Sequence, residues 1–243
     1  MPRPGEASSC YLIRAGETAL LFDLGSGAFA KLQLAIDYRR VDAIVISHMH
    51  ADHFFDVVPF RYALKYGHLP FEQRLALWLP PGGKRSLGAL RRAVSTDAPE
   101  DFFDSLFVVR EYDPGETLTV RGVSIRFRQT RHYVDAYAIR AQSGERSITY
   151  SADTAPCDAV VELARATSLF LCETALGVGV EDANDRGHSS AKEAGTMAQR
   201  AQAERLLLTH YPAAVAPQSL VHAAKQHFSG RVDAAHDGFS AVV

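Results

Sequence analysis

The chain has 243 residues, 47% of them hydrophobic, enough to bury a substantial core, and one domain over residues 1–243 is the simplest expectation. A formal net charge of −2 supplies no basic excess for gripping a polyanion. Three cysteines, Cys10, Cys157 and Cys172, are odd in number and lack Cys-x-x-Cys spacing, which argues against a disulfide framework and against a thiolate metal site. With no apolar run of about 18 residues and no leader-like start, the expectation is a cytoplasmic protein with no membrane partner.

In chain order, Tyr11–Arg14 and Ala19–Asp23 read as a hairpin turning at Ala15-Gly16-Glu17, Ala28–Tyr38 has helical spacing, and Ala43–Ile46 is a buried strand. His48-x-His50-x-Asp52-His53 follows at once. If the strand runs on extended, alternate side chains share one side, so that His48, His50 and Asp52 converge and His53 comes round as the chain turns. Imidazoles beside a carboxylate suit divalent cations, zinc first, with manganese or iron as alternatives. His53–Tyr66 then reads as one helix, Leu75–Leu79 as a strand stopped by Pro80-Pro81-Gly82-Gly83, and Lys84–Val94 as a helix.

Strands follow at Phe107–Tyr112, Thr117–Val120, Val123–Gln129, Ala136–Ala141 and Ser147–Ser151. The last third alternates: helix Pro156–Arg165, strand Leu169–Cys172, helix Ser190–Gln202, strand Arg205–Thr209, helix Pro217–Phe228 and a closing hairpin at His236-Asp237-Gly238. Mixed strands with helices between them imply sheets sandwiched between helical layers. Three of these elements end on a further donor: His132 after Val123–Gln129, Asp153 after Ser147–Ser151 and His210 after Arg205–Thr209. Each alone is ordinary as a surface histidine or a turn aspartate. Beside a four-ligand cluster they complete the seven donors that a pair of cations needs.

These residues resemble the metallo-β-lactamase superfamily. The resemblance implies an α/β fold, an αββα four-layer sandwich with two mixed sheets between helical layers. It implies two divalent metal ions, one on His48, His50 and His132, the other on Asp52, His53 and His210, with Asp153 between them. Within that superfamily, Cys172-Glu173-Thr174, Gly187-His188-Ser189 and Leu206–His210 look most like ribonuclease Z and a group of bacterial cyclic-nucleotide phosphodiesterases. Two departures stand out: few residues precede Tyr11 where the family has a further strand, which leaves a sheet edge open to a homodimer, and Asp56 stands where ribonuclease Z has glycine.

Paired cations lower the pKa of a shared water and stabilise both oxygens of an in-line displacement. Asp52 is then ligand and acceptor for that water. His188, at a helix start and outside the metal set, is the candidate proton donor to the departing alkoxide, with Glu173 stabilising its imidazolium. The local alternative is that Ser190-x-x-Glu193 is a capping box and Gly187-His188 its lead-in. Phe54, Phe55, Tyr62, Tyr66 and Tyr133 could stack on a base, although packing is the commoner role for aromatics at helical spacing.

Ribonuclease Z carries a long arm between the later histidine and the aspartate that grips tRNA. Here that interval holds two strands and a turn, so a small phosphodiester such as a 3′,5′-cyclic nucleotide is the expected substrate, under a lid at residues 177–187. The alternatives are an RNA-processing endonuclease, a lactone, thioester or β-lactam hydrolase, and a metal-stabilised interaction protein without activity.

Overall fold

The computed structural model describes residues 4–94, 97–179 and 186–243. They gather into two compact units, Ala7–Asp113 and Pro114–Val243, the latter with the stretch ending at Glu6. Of the expected lid, residues 180–185 lie outside the described residues.

In Ala7–Asp113 five strands lie side by side in chain order: β1 (Tyr11–Ala15), β2 (Thr18–Phe22), β3 (Ala43–Val45), β4 (Leu75–Leu79) and β5 (Phe107–Glu111). β1 is antiparallel to β2, and the rest are parallel. Strands β2 and β3 bury every residue, as their unbroken apolar runs require of parallel strands covered on both sides. Helices α1 (Ala28–Ala35), α3 (Val57–Tyr66) and α4 (Gly83–Val94) bring Phe29, Leu32, Phe60, Leu64 and Leu87 into one cluster with Leu21, Ile44, Leu77 and Phe107 of the sheet.

In this unit two expected helices are shorter than their apolar spacing suggests. The first stops at Ala35 because Ile36 turns extended and Asp37 uses its side chain to accept from the Arg39 N–H, starting a 3₁₀ turn at Tyr38–Arg40. The expected helix His53–Tyr66 is two: a single turn α2 (Ala51–Phe54), then α3. Pro59 has no N–H to return to Phe55, and the Asp56 N–H is diverted to the Leu24 carbonyl at 3.1 Å, so the ladder restarts with Pro59 in the tolerated first turn.

Asp56 acquires a structural role here. Helix α1 begins at Gly27 with no side-chain cap of its own, and Asp56 reaches across to supply one: Oδ2 accepts from the Phe29 N–H at 2.8 Å, and the Gly27 and Ala28 N–H groups also bond this carboxylate. Burial pushes its carboxyl up, and the three N–H donors oppose that shift. Asp56→Ala is expected to destabilise the protein by about 1–2 kcal/mol, the scale of a lost cap with its donors half-buried. The readout is the urea midpoint, which should fall at unchanged slope; an unmoved midpoint contradicts the assignment.

In Pro114–Val243 the sheet has seven strands, β6 (Leu118–Val120), β7 (Val123–Gln129), β8 (Tyr137–Ser143), β9 (Arg146–Tyr150), β10 (Leu169–Glu173), β11 (Arg205–Thr209) and β12 (Arg231–Ala234), again adjacent in chain order. It is antiparallel as far as β9 and parallel beyond, so both sheets of the protein are mixed, as expected. Helices α5 (Asp158–Leu163), α6 (Ala191–Ala201) and α7 (Pro217–Lys225) pack Val160, Ala194, Met197, Ala198 and Leu220 onto Phe170, Leu206, Leu208 and Val232. Gly195 lets α6 lie close to α7: a Cβ there would stand 2.5 Å from the Ala224 carbonyl oxygen. The expected capping box is present, with Ser190 and Glu193 bonding each other's backbone N–H.

The expected closing hairpin is absent among the described residues. The turn forms, with the Phe239 N–H donating to the His236 carbonyl, but the segment after it forms no strand, and Val242 is 92% exposed. Among the described residues strand β12 pairs only with β11, in parallel. Just past strand ends, Asp23 (φ 59°), Ala152 (φ 51°) and His210 (φ 51°) take left-handed backbone, as does Arg121 (φ 45°) in the β6–β7 turn. Such conformations cost of order 1 kcal/mol or more and gather where a fold must aim a functional group.

Candidate active site

Within Ala7–Asp113 the expected His-x-His-x-Asp-His cluster is assembled, though not on one extended segment. β3 ends at Val45; His50 is extended, and Asp52 and His53 ride the single turn α2. His48 Nε2 lies 3.2 Å from His50 Nδ1, and Asp52 Oδ2 lies 3.8 Å from His53 Nε2. The backbone of this turn is tied to the segment after β2: Leu24 N–H donates to the His53 carbonyl at 2.7 Å and Ser9 N–H to that of Asp52 at 3.2 Å. The approach is so close that a Cβ on Gly25 would stand 1.9 Å from the Asp52 carbonyl oxygen, which explains the glycine.

Behind the cluster stands Asp23, just past the end of β2. It is wholly buried, and Oδ2 accepts from His53 Nδ1 at 2.7 Å and from the Ser47 hydroxyl at 2.8 Å, while Oδ1 accepts from the Ser47 N–H at 2.7 Å. Ser47 Oγ in turn meets His48 Nδ1 at 3.0 Å. A carboxylate on Nδ1 holds the proton there and leaves Nε2 as a lone-pair donor, the arrangement that outer-shell partners impose on ligating histidines. The available signal was placement: Asp23 follows an apolar strand and precedes Gly25-Ser26-Gly27, the position that revealed the other donors.

Within Pro114–Val243 the three expected strand-end donors meet. Asp153 Oδ1 lies 3.6 Å from His210 Nδ1, and Asp153 Oδ2 lies 3.8 Å from His132 Nε2. His132 Nδ1 donates to the Gly187 carbonyl at 2.7 Å, again turning Nε2 forward. Ligand atoms sharing one cation at about 2.0–2.2 Å each stand roughly 3–4 Å apart, so these pairwise separations and the nitrogen and oxygen donor types are those of divalent-metal ligands. Asp153, His188 and His210 also form a group of metal-ligand type.

His188 differs from the others in its partner. Its Nδ1 lies 2.9 Å from Glu173 Oε1 and 3.9 Å from Asp153 Oδ2. Glu173, at the end of β10 and fully buried, is held on every side: Oε1 also accepts from the Thr154 and Ser189 N–H groups at 3.0 and 3.1 Å, and Oε2 from Ala175 N–H at 2.7 Å. Burial pushes its carboxyl up, the His188 hydrogen bond pulls it down and Asp153 adds to the rise. The Glu193 carboxylate serves the cap at Ser190 and pairs with Arg186, so capping and the His188–Glu173 contact coexist. Of the aromatics, Phe54 is core; Phe55 packs on it, and Tyr62 stacks on Tyr66 and meets Phe102 edge-on, so these partly exposed rings have packing partners, while Tyr133 is 65% exposed.

The family model described as Anti-Pycsar protein Apyc1 matches residues 5–233. The chain belongs to this family. It is also 32% identical to the probable metallo-hydrolase YhfI of Bacillus subtilis, over 98% of this chain and 93% of that one. The crystal structure of YhfI, a metallo-β-lactamase fold protein, superposes with a TM-score of 0.87 at 29% identity over the same shares. Ribonuclease Z of Mycobacterium bovis is 28% identical over 98% of this chain and 92% of its own. Family members of this kind place the chain in the metallo-β-lactamase superfamily near ribonuclease Z-like proteins, with the αββα fold class expected from the sequence. Unliganded yeast PDE1, at 12% identity, shares the fold with a TM-score of 0.71, over 96% of this chain and 94% of its own.

Among the described residues, no helix is long and apolar enough to cross a membrane.

Proposed function

We propose that the protein is a metal-dependent phosphodiesterase that holds two divalent cations, zinc first among them, and acts on a small phosphodiester such as a 3′,5′-cyclic nucleotide. The observation that carries this reading is the His188–Glu173 pair beside Asp153 and His210: a purely structural metal site has no use for a carboxylate-backed imidazole next to its ligands. On this reading His48, His50, Asp52, His53, His132, Asp153 and His210 are the metal ligands. When bound, divalent cations there supply Lewis acidity toward the phosphate oxygens and a more acidic water.

The chain's own groups do the rest. Asp52 accepts a hydrogen bond from the attacking water and so aims its lone pair at phosphorus. Glu173 fixes the proton of His188 on Nδ1 and favours the imidazolium, which leaves Nε2–H to protonate the departing alkoxide. The segment from His132 to Asp153 is spent on β8, β9 and tight connections, with no arm for a large RNA, which favours a small substrate.

Turnover of bis(p-nitrophenyl) phosphate with added zinc or manganese, lost on chelation and restored by metal, is the expected result. Absence of turnover in metal-replete protein removes the proposal. Competition among cyclic AMP, a precursor tRNA and a lactone then ranks the substrates, and preference for the tRNA or the lactone overturns the small-diester reading.

A further inference from the structure

Beside the candidate proton donor stands an aromatic ring that keeps one face open to solvent. Tyr133 is 65% exposed, yet its ring centroid lies 5.2 Å from that of His132 and 5.8 Å from that of His188. It is not loosely placed. Gly187 forms its seat: a Cβ there would stand 2.9 Å from Tyr133 Cδ2 and Cε2 and 2.8 Å from His132 Nδ1, so the bare glycine lets the ring rest against the backbone that also orients His132. The neighbouring Val134 is exposed as well, at 41%. A large aromatic left open to solvent forgoes the burial that normally rewards it, and its rigid π face is suited to stacking on a flat or ring-shaped partner.

We propose that Tyr133 is a specificity-determining residue whose open face packs against the organic group that leaves from phosphorus. The inference rests on the phosphodiesterase reading: since His188 protonates the leaving oxygen, whatever is attached to that oxygen lies on the His188 side, where the Tyr133 ring is. A nucleoside presents a sugar ring and a base to that face, and a small alkyl group presents almost nothing. The ring thus selects nucleotide-type diesters over alkyl diesters, and it acts through stacking, so that phenylalanine substitutes for tyrosine and alanine does not.

The test uses metal-loaded protein and reads binding separately from turnover. Adenosine monophosphate and inorganic phosphate are titrated calorimetrically into the wild type, Tyr133→Phe and Tyr133→Ala, and wild-type turnover of bis(p-nitrophenyl) phosphate is measured alongside. Tyr133→Ala should weaken adenosine monophosphate about tenfold, the scale of losing one aromatic stacking partner, leave phosphate unchanged and raise KM for a cyclic nucleotide with kcat within about threefold. Tyr133→Phe should match the wild type. If the wild type cleaves the diester but Tyr133→Ala binds both ligands as the wild type does, the platform is refuted and the activity stands. Equal weakening of both ligands means a structural role and refutes it too. A wild type that cleaves no phosphodiester refutes the function and this inference together.

Discussion

His188→Ala is expected to lower kcat for a 3′,5′-cyclic nucleotide by about 10²–10⁴-fold, the range that a positioned general acid contributes, while bis(p-nitrophenyl) phosphate loses far less. The contrast follows from the leaving groups. A ribose alkoxide is a strong base and cannot depart without a proton, whereas p-nitrophenolate leaves unprotonated. His188 is placed for this duty by a carboxylate that makes no other side-chain commitment, since three of the four hydrogen bonds at Glu173 come from backbone N–H groups. Glu173→Gln should therefore reproduce part of the same selective loss. It should also destabilise the fold by about 1–3 kcal/mol, because an amide must turn an N–H₂ toward a backbone donor in a buried site. Equal losses on both substrates, with metal content intact, would show that His188 does not supply the proton.

Why the sequence revealed some of this arrangement and not the rest is a matter of range. His48, His50, Asp52 and His53 announce themselves because four donors crowd into six positions, and Asp153 and His210 because each follows an apolar strand. The break between α2 and α3 was visible only as Pro59, whose effect depends on the Asp56 N–H finding Leu24 instead of its own helix. Asp56 itself looked like a departure near the metal ligands; its partners are the N–H groups of α1, nearly thirty positions earlier, and nothing local points there. Asp23 was hidden for the same reason, since a lone aspartate after a strand has meaning only once His53 and Ser47 are seen to converge on it. Tyr133 was visible as an aromatic, but its exposure and its seat on Gly187 belong to tertiary structure.

Asp23→Asn is the substitution that should separate metal affinity from folding. The asparagine oxygen can still accept from the Ser47 N–H, and asparagine tolerates the left-handed backbone at this position, so the cost to stability should be modest. The amide nitrogen, however, would face His53 Nδ1 and donate to it. That moves the imidazole proton to Nε2, where a lone pair is needed for a cation, and fixes the wrong tautomer in a site with no exposure to correct it. Metal affinity should fall about 10–100-fold, as it does when an outer-shell partner of a ligating histidine is lost, with the thermal midpoint of the metal-free protein little changed. Asp23→Ala instead removes the acceptor from His53, the Ser47 hydroxyl and the Ser47 N–H at once, so it should lose stability as well, by about 1–3 kcal/mol or more. Metal titration against a competing chelator reads the first effect and urea unfolding the second. Wild-type affinity in Asp23→Asn would mean that His53 needs no help from Asp23 to present its Nε2, and the second tier of this site would lose its assigned purpose.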